Sequence, residues 1–65
     1  MDMDKLLAEG WTPIDVEWVA VLLSPDKTKA FAFDREGARP YPAAKANFWG
    51  TTISESEFRK LAAEA

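Results

Sequence analysis

The stretch that decides the fold reads IDVEWVAVLLSPDKTKAFAF and runs from residue 14 to residue 33. Apolar and acidic residues alternate at its start, whereas every residue from 18 to 23 is apolar. Such a pattern is typical of a strand that begins with one solvated side and ends buried on both sides. It predicts a strand over residues 14–23, with Trp18 in the centre of the hydrophobic core.

A second strand is predicted after a tight turn. Residues 24–27 read Ser-Pro-Asp-Lys, which has the serine and the proline of a type I β-turn. The chain therefore returns over residues 28–33 and places Phe31 and Phe33 on the face that also carries Trp18. In the register that this turn sets, Trp18 lies opposite Phe33.

The next segment predicts a short edge strand. Residues 34–37 end in a glycine that can take a positive φ, which indicates a second turn. A third strand over residues 38–41 follows, and Pro40 and Pro42 restrict it to a sheet edge, because proline cannot donate a backbone hydrogen bond. Residues 42–53 are compatible with one helical turn followed by an extended segment.

Helices flank the strands. Residues 2–9 carry apolar side chains on one helical face and are followed by Gly10, a residue that favours helix ends. Near the C-terminus, Ser54 and Glu57 have the spacing of a capping box, and Phe58 begins an apolar stripe with the helical period. A C-terminal helix that begins after Ser54 is therefore predicted.

The predicted fold is a single α+β domain over residues 1–65, with the order α-β-β-β-α. The N-terminal and C-terminal helices cover one face of a three-stranded antiparallel sheet and provide the second layer that a domain needs. One core is expected to contain Leu6, Leu7, Val16, Trp18, Ala20, Phe31, Phe33, Phe58 and Leu61.

The residue inventory disfavours catalysis and bound metals. The 65 residues include no histidine and no cysteine, the residues that most often act as general bases, nucleophiles and zinc ligands. They include three tryptophans, which are enriched in small cores and at binding hot spots. We therefore expect a binding protein that is not an enzyme and that has no cofactor and no metal site.

Charge is unevenly distributed along the chain, although the net charge is only −3. Residues 1–24 contain five acidic residues and one lysine, whereas residues 25–49 contain five basic residues among three acidic ones. A clustered basic surface for direct nucleic-acid binding is not indicated. The charge distribution instead favours an acidic surface that faces a basic partner.

Four carboxylates are candidates for contact with such a partner. The predicted register pairs Glu17 with Asp34. It also places Asp15 opposite Glu36, on the face away from the aromatic residues. The cluster is expected either to serve a basic partner or to be neutralised by a neighbouring arginine, unless the register differs.

Phe48 and Trp49 are the second candidate contact. In an extended backbone, adjacent side chains point to opposite sides, so one ring enters the core and the other stays exposed as an anchor. Alternatively, both rings close the open edge of the small core.

In size, acidity, absence of cysteine and surplus of aromatic residues, the chain resembles the small inhibitors of phages and mobile elements, and among them the anti-CRISPR proteins. The resemblance covers the whole chain in size, charge and helix–sheet–helix composition. No sequence motif is shared. It implies a monomer whose partner is a host protein with a basic, nucleic-acid-binding surface. That partner would be a CRISPR effector subunit, whose DNA recognition the protein would block by steric blockade or by partial phosphate mimicry. The alternative is an accessory or structural domain that homodimerises through its edge strand or its exposed aromatic residues.

Export and membrane insertion are not indicated. Residues 1–5 lack a basic region that leads into an apolar stretch. The apolar run over residues 18–23 is far shorter than a membrane-spanning helix. The expected location is the cytoplasm, that of a bacterial host if the inhibitor interpretation holds, with no membrane contact.

Overall fold

Three helices and five strands make up the computed structural model, which describes all residues from 1 to 65. All five strands form one antiparallel sheet in the spatial order β4-β3-β2-β1-β5. The α+β class is thus confirmed, whereas the prediction of three strands is wrong. In chain order the elements are α1 (Met3–Ala8), β1 (Thr12–Val16), β2 (Val19–Leu23), β3 (Ala30–Asp34), β4 (Gly37–Tyr41), α2 (Ala43–Trp49), β5 (Thr51–Thr52) and α3 (Glu55–Glu64).

The largest departure from prediction is that residues 14–23 form a hairpin rather than one strand. The chain reverses at residues 17–18, whose φ angles are 49° and 71°. Positive φ at both central residues defines a type I′ turn, whose twist suits a two-residue hairpin. Val16 and Val19 pair across this turn and share a face, so Val16 lies on the face opposite to that of Ala20.

The connection between β2 and β3 is two residues longer than predicted. The hydroxyl oxygen of Ser24 accepts hydrogen bonds from the backbone N–H groups of Thr28 and Lys29, at 3.2 and 3.0 Å, and keeps both residues in the loop. Consequently, Phe33 lies opposite Ala20. The predicted pairing of Phe33 with the tryptophan of the first turn is wrong, and so are the carboxylate pairings that used the same register.

The two edges of the sheet differ in how well they were predicted. Strand β4, which contains Pro40, lies at one edge, as predicted. The other edge is β5, where Thr51 pairs with Asp15 of β1. Residues 48–49, predicted to be extended, belong to helix α2.

Helices α1 and α3 cover one face of the sheet, which we call the two-helix face. The rings of Phe33 and Phe58 meet edge to face there, with centroids 5.9 Å apart. Trp11 packs against Phe31 with centroids 5.8 Å apart. The buried residues of this layer are Leu6, Ala20, Leu22, Phe33, Phe58 and Ala62.

Helix α2 covers the opposite face, which we call the one-helix face, and approaches it closely. A methyl group at Gly50, directly after α2, would overlap the Ile14 side chain and the Ala46 carbonyl oxygen. The sheet is therefore covered on both faces, and the predicted single core is wrong. The buried residues of this second layer are Ile14, Val16, Val21, Leu23, Ala30, Ala32 and Ala46.

The ends of α1 and α3 follow the sequence signals. The Ser54 hydroxyl oxygen accepts a hydrogen bond from the backbone N–H of Glu57 at 3.1 Å, which confirms the predicted N-cap. The Arg59 guanidinium then ties the helices together, because it contacts Glu55 within α3 and Asp4 of α1. Hydrogen bonds to Glu55 and to Asp4 raise the pKa of Arg59 above its ordinary value. None of the three helices is long and apolar enough to cross a membrane.

Candidate partner-binding surface

Two hairpin turns and the end of α2 lie at one end of the molecule, which we call the hairpin end. The turns, at residues 17–18 and 35–36, share this end because β2 begins beside the end of β3. Helix α2 ends nearby, because Thr51, two residues beyond it, pairs with Asp15 near the first turn. The residues predicted to contact a partner lie in these segments or in the strands that lead into them: Asp15, Glu17, Asp34, Glu36, Phe48 and Trp49.

Trp18 is the most exposed large apolar side chain of the protein. It is 81% exposed at the tip of the first turn, so its predicted place in the core is wrong. Its backbone φ of 71° costs an L-residue roughly 1–2 kcal/mol. The Asp15 carboxylate accepts a hydrogen bond from the Trp18 backbone N–H at 2.8 Å and holds this conformation. The type I′ turn requires a positive φ at this position, and it leaves the ring in solvent.

Phe48 and Trp49 form an exposed aromatic pair. Their side chains are 77% and 63% exposed, and their rings meet edge to face with centroids 4.9 Å apart. Because α2 directs Ala43 and Ala46 towards the sheet, its two large rings face solvent. The prediction that one ring enters the core is wrong, and so is the alternative that both close its edge.

Asp34 and Glu36 use their carboxylates differently. Asp34 pairs with Arg39 at 3.0 Å and also accepts a hydrogen bond from the Glu36 backbone N–H at 2.8 Å. Both oxygens of Asp34 thus hold the second turn, and the predicted neutralisation by a nearby arginine applies to this residue. The carboxylates of Glu36 and of Glu17 make no hydrogen bond or ion pair within the chain, so these two charges are free at the hairpin end.

The four predicted carboxylates share an end of the sheet but not a face. Asp15 pairs with Ala20 on the two-helix face, whereas Asp34 lies on the one-helix face beside Arg39. No three acidic residues come close enough together to hold a metal ion. The charge of this end is therefore spread around its rim.

A groove of about 350 Å³ lies beside the first turn, on the two-helix face. Its position was not predicted, because it joins the hairpin tip to a helix that follows some forty residues later. The available signal was the spacing of Glu57, Lys60 and Glu64, which places them on one side of α3. The residues that line the groove are Asp15, Trp18, Ile53, Glu57, Lys60, Leu61 and Glu64.

The opposite end of the sheet is organised by the loop between β2 and β3. The hydroxyl groups of Ser24 and Thr28 each donate a hydrogen bond to the Asp26 carboxylate at 2.7 Å. These bonds, chiefly that from Ser24, stabilise the charged form and lower the pKa of Asp26 to about 2. No exposed tryptophan or phenylalanine lies in this loop.

No protein family model matches this sequence, and searches among curated proteins and among solved structures returned no match. A fold by itself does not define a function, because unrelated activities recur on the same folds. The function is therefore inferred from the residues of the hairpin end.

Proposed function

We propose that this protein is a non-enzymatic binding protein whose hairpin end docks onto a basic surface of a partner protein. The observation that carries the proposal is the exposure of Trp18, Phe48 and Trp49 in a chain with only 14 buried residues. A small domain has little apolar surface to spare, and burying these rings would stabilise it. Tryptophan is also enriched among the residues that dominate the energetics of protein interfaces.

The charged residues of the hairpin end have two roles in this proposal. Glu17 and Glu36 carry the free carboxylates, which attract a basic surface and raise the association rate. Asp15 and Asp34 act indirectly, because their carboxylates hold the two turns in place. Desolvation of the aromatic rings then slows dissociation.

We further propose that the partner is a CRISPR effector subunit, so that the protein is an inhibitor of the anti-CRISPR kind. The DNA-binding surface of such a subunit is strongly basic and suits the free carboxylates of the hairpin end. Two free carboxylates are too few to follow a phosphate backbone. Steric blockade of DNA recognition is therefore favoured over phosphate mimicry.

The inhibitor proposal is tested with purified effector complexes of different CRISPR types. DNA binding by each complex is measured in a gel-shift assay, with and without this protein. We expect one complex to lose DNA binding in a concentration-dependent manner. If none binds the protein and none loses DNA binding, the inhibitor proposal is wrong, although docking on another basic protein is still open to test.

Docking through the hairpin end is tested with surface variants and the partner protein that an affinity pull-down from a bacterial lysate returns. Trp49→Ala should accelerate dissociation, whereas Asn47→Ala, also exposed on α2, should not. Glu17→Lys should slow association and reduce its dependence on salt. Glu9→Lys makes the same charge change away from the hairpin end and is the control. Equal binding by all four variants, with folding verified by circular dichroism, would contradict the proposal.

The competing accessory-domain function requires self-association. Pairing through β4 is disfavoured because the edge contains Arg39 and Pro40, which are typical of protected edges. Analytical ultracentrifugation is expected to find a monomer. A dimer that Trp49→Ala converts to monomers would favour the accessory domain instead.

A further inference from the structure

The groove beside the first turn combines an aromatic wall with an apolar floor. The wall is Trp18, whose ring is accessible, and the floor includes the half-buried side chains of Ile53 and Leu61. Its volume of about 350 Å³ lies at the lower limit of small ligand sites, so it suits a single side chain. The free protein therefore presents an open site with one tryptophan at its side.

The charges around this groove are complementary to a cation. The residues that line the groove carry three carboxylates, those of Asp15, Glu57 and Glu64, and one ammonium group, that of Lys60. Neither Glu57 nor Glu64 forms an ion pair within the chain, and Lys60 forms none either. Two of the three carboxylates are thus free to pair with a ligand.

We propose that this groove binds an arginine side chain of the partner protein. A guanidinium is planar, stacks on aromatic rings and donates paired hydrogen bonds to carboxylates, which matches a tryptophan beside an acidic rim. The methylene groups of arginine suit the apolar floor. Lysine is a poorer fit, because its ammonium is more strongly hydrated and does not stack. The inference rests on the proposed function only in that the docking partner supplies the arginine.

The test uses a peptide, so that it does not require the partner. The ¹⁵N-labelled protein is titrated with the blocked tripeptide acetyl-Gly-Arg-Gly-amide and, separately, with its citrulline counterpart, which has a similar shape but no charge. Three indole N–H signals are available, from Trp11, Trp18 and Trp49. We expect the arginine peptide to shift the Trp18 signal and the α3 amides, with a dissociation constant on the order of 1 mM. Citrulline should shift neither.

Two variants assign the effect to the wall and to the rim. Trp18→Leu keeps an apolar side chain without the aromatic ring and should raise the dissociation constant roughly two- to fivefold. Lys60→Glu replaces the single cation of the rim and should lower the dissociation constant. Asn47→Ala changes an exposed α2 residue outside the groove and should leave the dissociation constant unchanged.

The proposal is overturned if the citrulline peptide binds as well as the arginine peptide, if Lys60→Glu weakens binding, or if the Trp18 signal does not move. This outcome is distinct from failure of the proposed function. If the arginine peptide fails but Trp49→Ala weakens the partner complex, docking at the hairpin end stands and the arginine site is wrong. If the arginine peptide binds but no hairpin-end variant weakens the partner complex, the arginine site stands and docking at the hairpin end is wrong.

Discussion

The helices on the two faces of the sheet bury side chains of different size. On the two-helix face, Phe58 from α3 inserts against Phe33, and large rings fill the space between helix and sheet. On the one-helix face, α2 directs only small residues inward, and Gly50 allows the backbone to touch Ile14. Packing on the two-helix face therefore depends on large side chains, whereas packing on the one-helix face depends on a residue without a side chain.

This difference explains where the exposed aromatic residues are. A helix that lies so close to the sheet has no room for a ring on its inner side. The large residues of α2, Phe48 and Trp49, therefore point outward. The one-helix face thus supplies part of the surface that we propose for docking. On the two-helix face, α3 instead forms one side of the groove beside Trp18.

The two-helix face should break most readily when its central ring is removed. Phe58→Ala should destabilise the protein by about 3–5 kcal/mol, because the ring is fully buried and its loss leaves a cavity. Phe48→Ala removes the same ring from an exposed site and is the matched control. Urea denaturation should separate the two variants clearly. Similar losses for both would contradict the assignment of the core.

The one-helix face should break when a single methyl group is added. Gly50→Ala should cost about 1–3 kcal/mol, because the new methyl overlaps Ile14 and the α2 backbone. Its φ of −78° suits alanine, so steric overlap alone is tested. Thr51→Ala, at the exposed neighbouring residue, is the control for thermal denaturation. A neutral Gly50→Ala would mean that α2 does not approach the sheet this closely.

The two-helix face also depends on α3 beginning at the right residue. Ser54→Ala should cost about 0.5–2 kcal/mol, since the Glu57 backbone N–H loses its partner. Ser54→Asp preserves a capping oxygen and should restore most of the stability measured by denaturation. No loss in the alanine variant would indicate that the helix begins elsewhere.

Trp18 tests the opposite case, an exposed ring whose removal should have little effect on stability. Trp18→Ala should change the free energy of unfolding by no more than about 0.5 kcal/mol, as is usual for exposed positions. Trp11→Ala, whose ring packs against Phe31, should destabilise clearly more. If Trp18→Ala proves as damaging as a core truncation, its placement at the hairpin tip is wrong.

Asp26 belongs to neither face, and its contribution to stability should depend on pH. Its pKa is lowered to about 2 in the folded protein, from an ordinary value of 3.8. Its stabilising contribution is therefore complete above pH 3.8 and is lost as the pH falls through about 2. The difference in melting temperature between the natural protein and Asp26→Asn should shrink over this range. A constant difference would contradict the Ser24 and Thr28 contacts.

Local signals in the sequence predicted several elements correctly. Ser54 begins α3 because its hydroxyl can satisfy a free N–H of the helix, a contact between near neighbours in the chain. The turn before Gly37 and the edge position of β4 were predicted from glycine and proline for similarly local reasons. The four carboxylates were predicted to lie at one end of the sheet, and the structure places them at one end, although not in the predicted pairs. That Phe48 and Trp49 lie near the same end was not predicted.

The turn at residues 17–18 could not be found in this way. Its glutamate and tryptophan lack the asparagine or glycine that usually marks a type I′ turn, so the apolar pattern was continued through it. The one available hint was length, because a ten-residue strand is nearly twice the usual five or six. Because residues 14–23 were predicted as one strand, Val16 was assigned to the wrong face and Trp18 to the core.

Residue types and neighbours a few positions apart were enough to predict the α+β class, the ends of α1, the start of α3, the edge strand and the shortage of catalytic groups. Which side chains are exposed could not be predicted in this way, because it depends on how five strands align and on how closely a helix lies on them. The free energy of pairing β1 with β2 outweighs the local cost of a tryptophan at positive φ. The same long-range packing leaves three aromatic rings in solvent, where a partner can reach them.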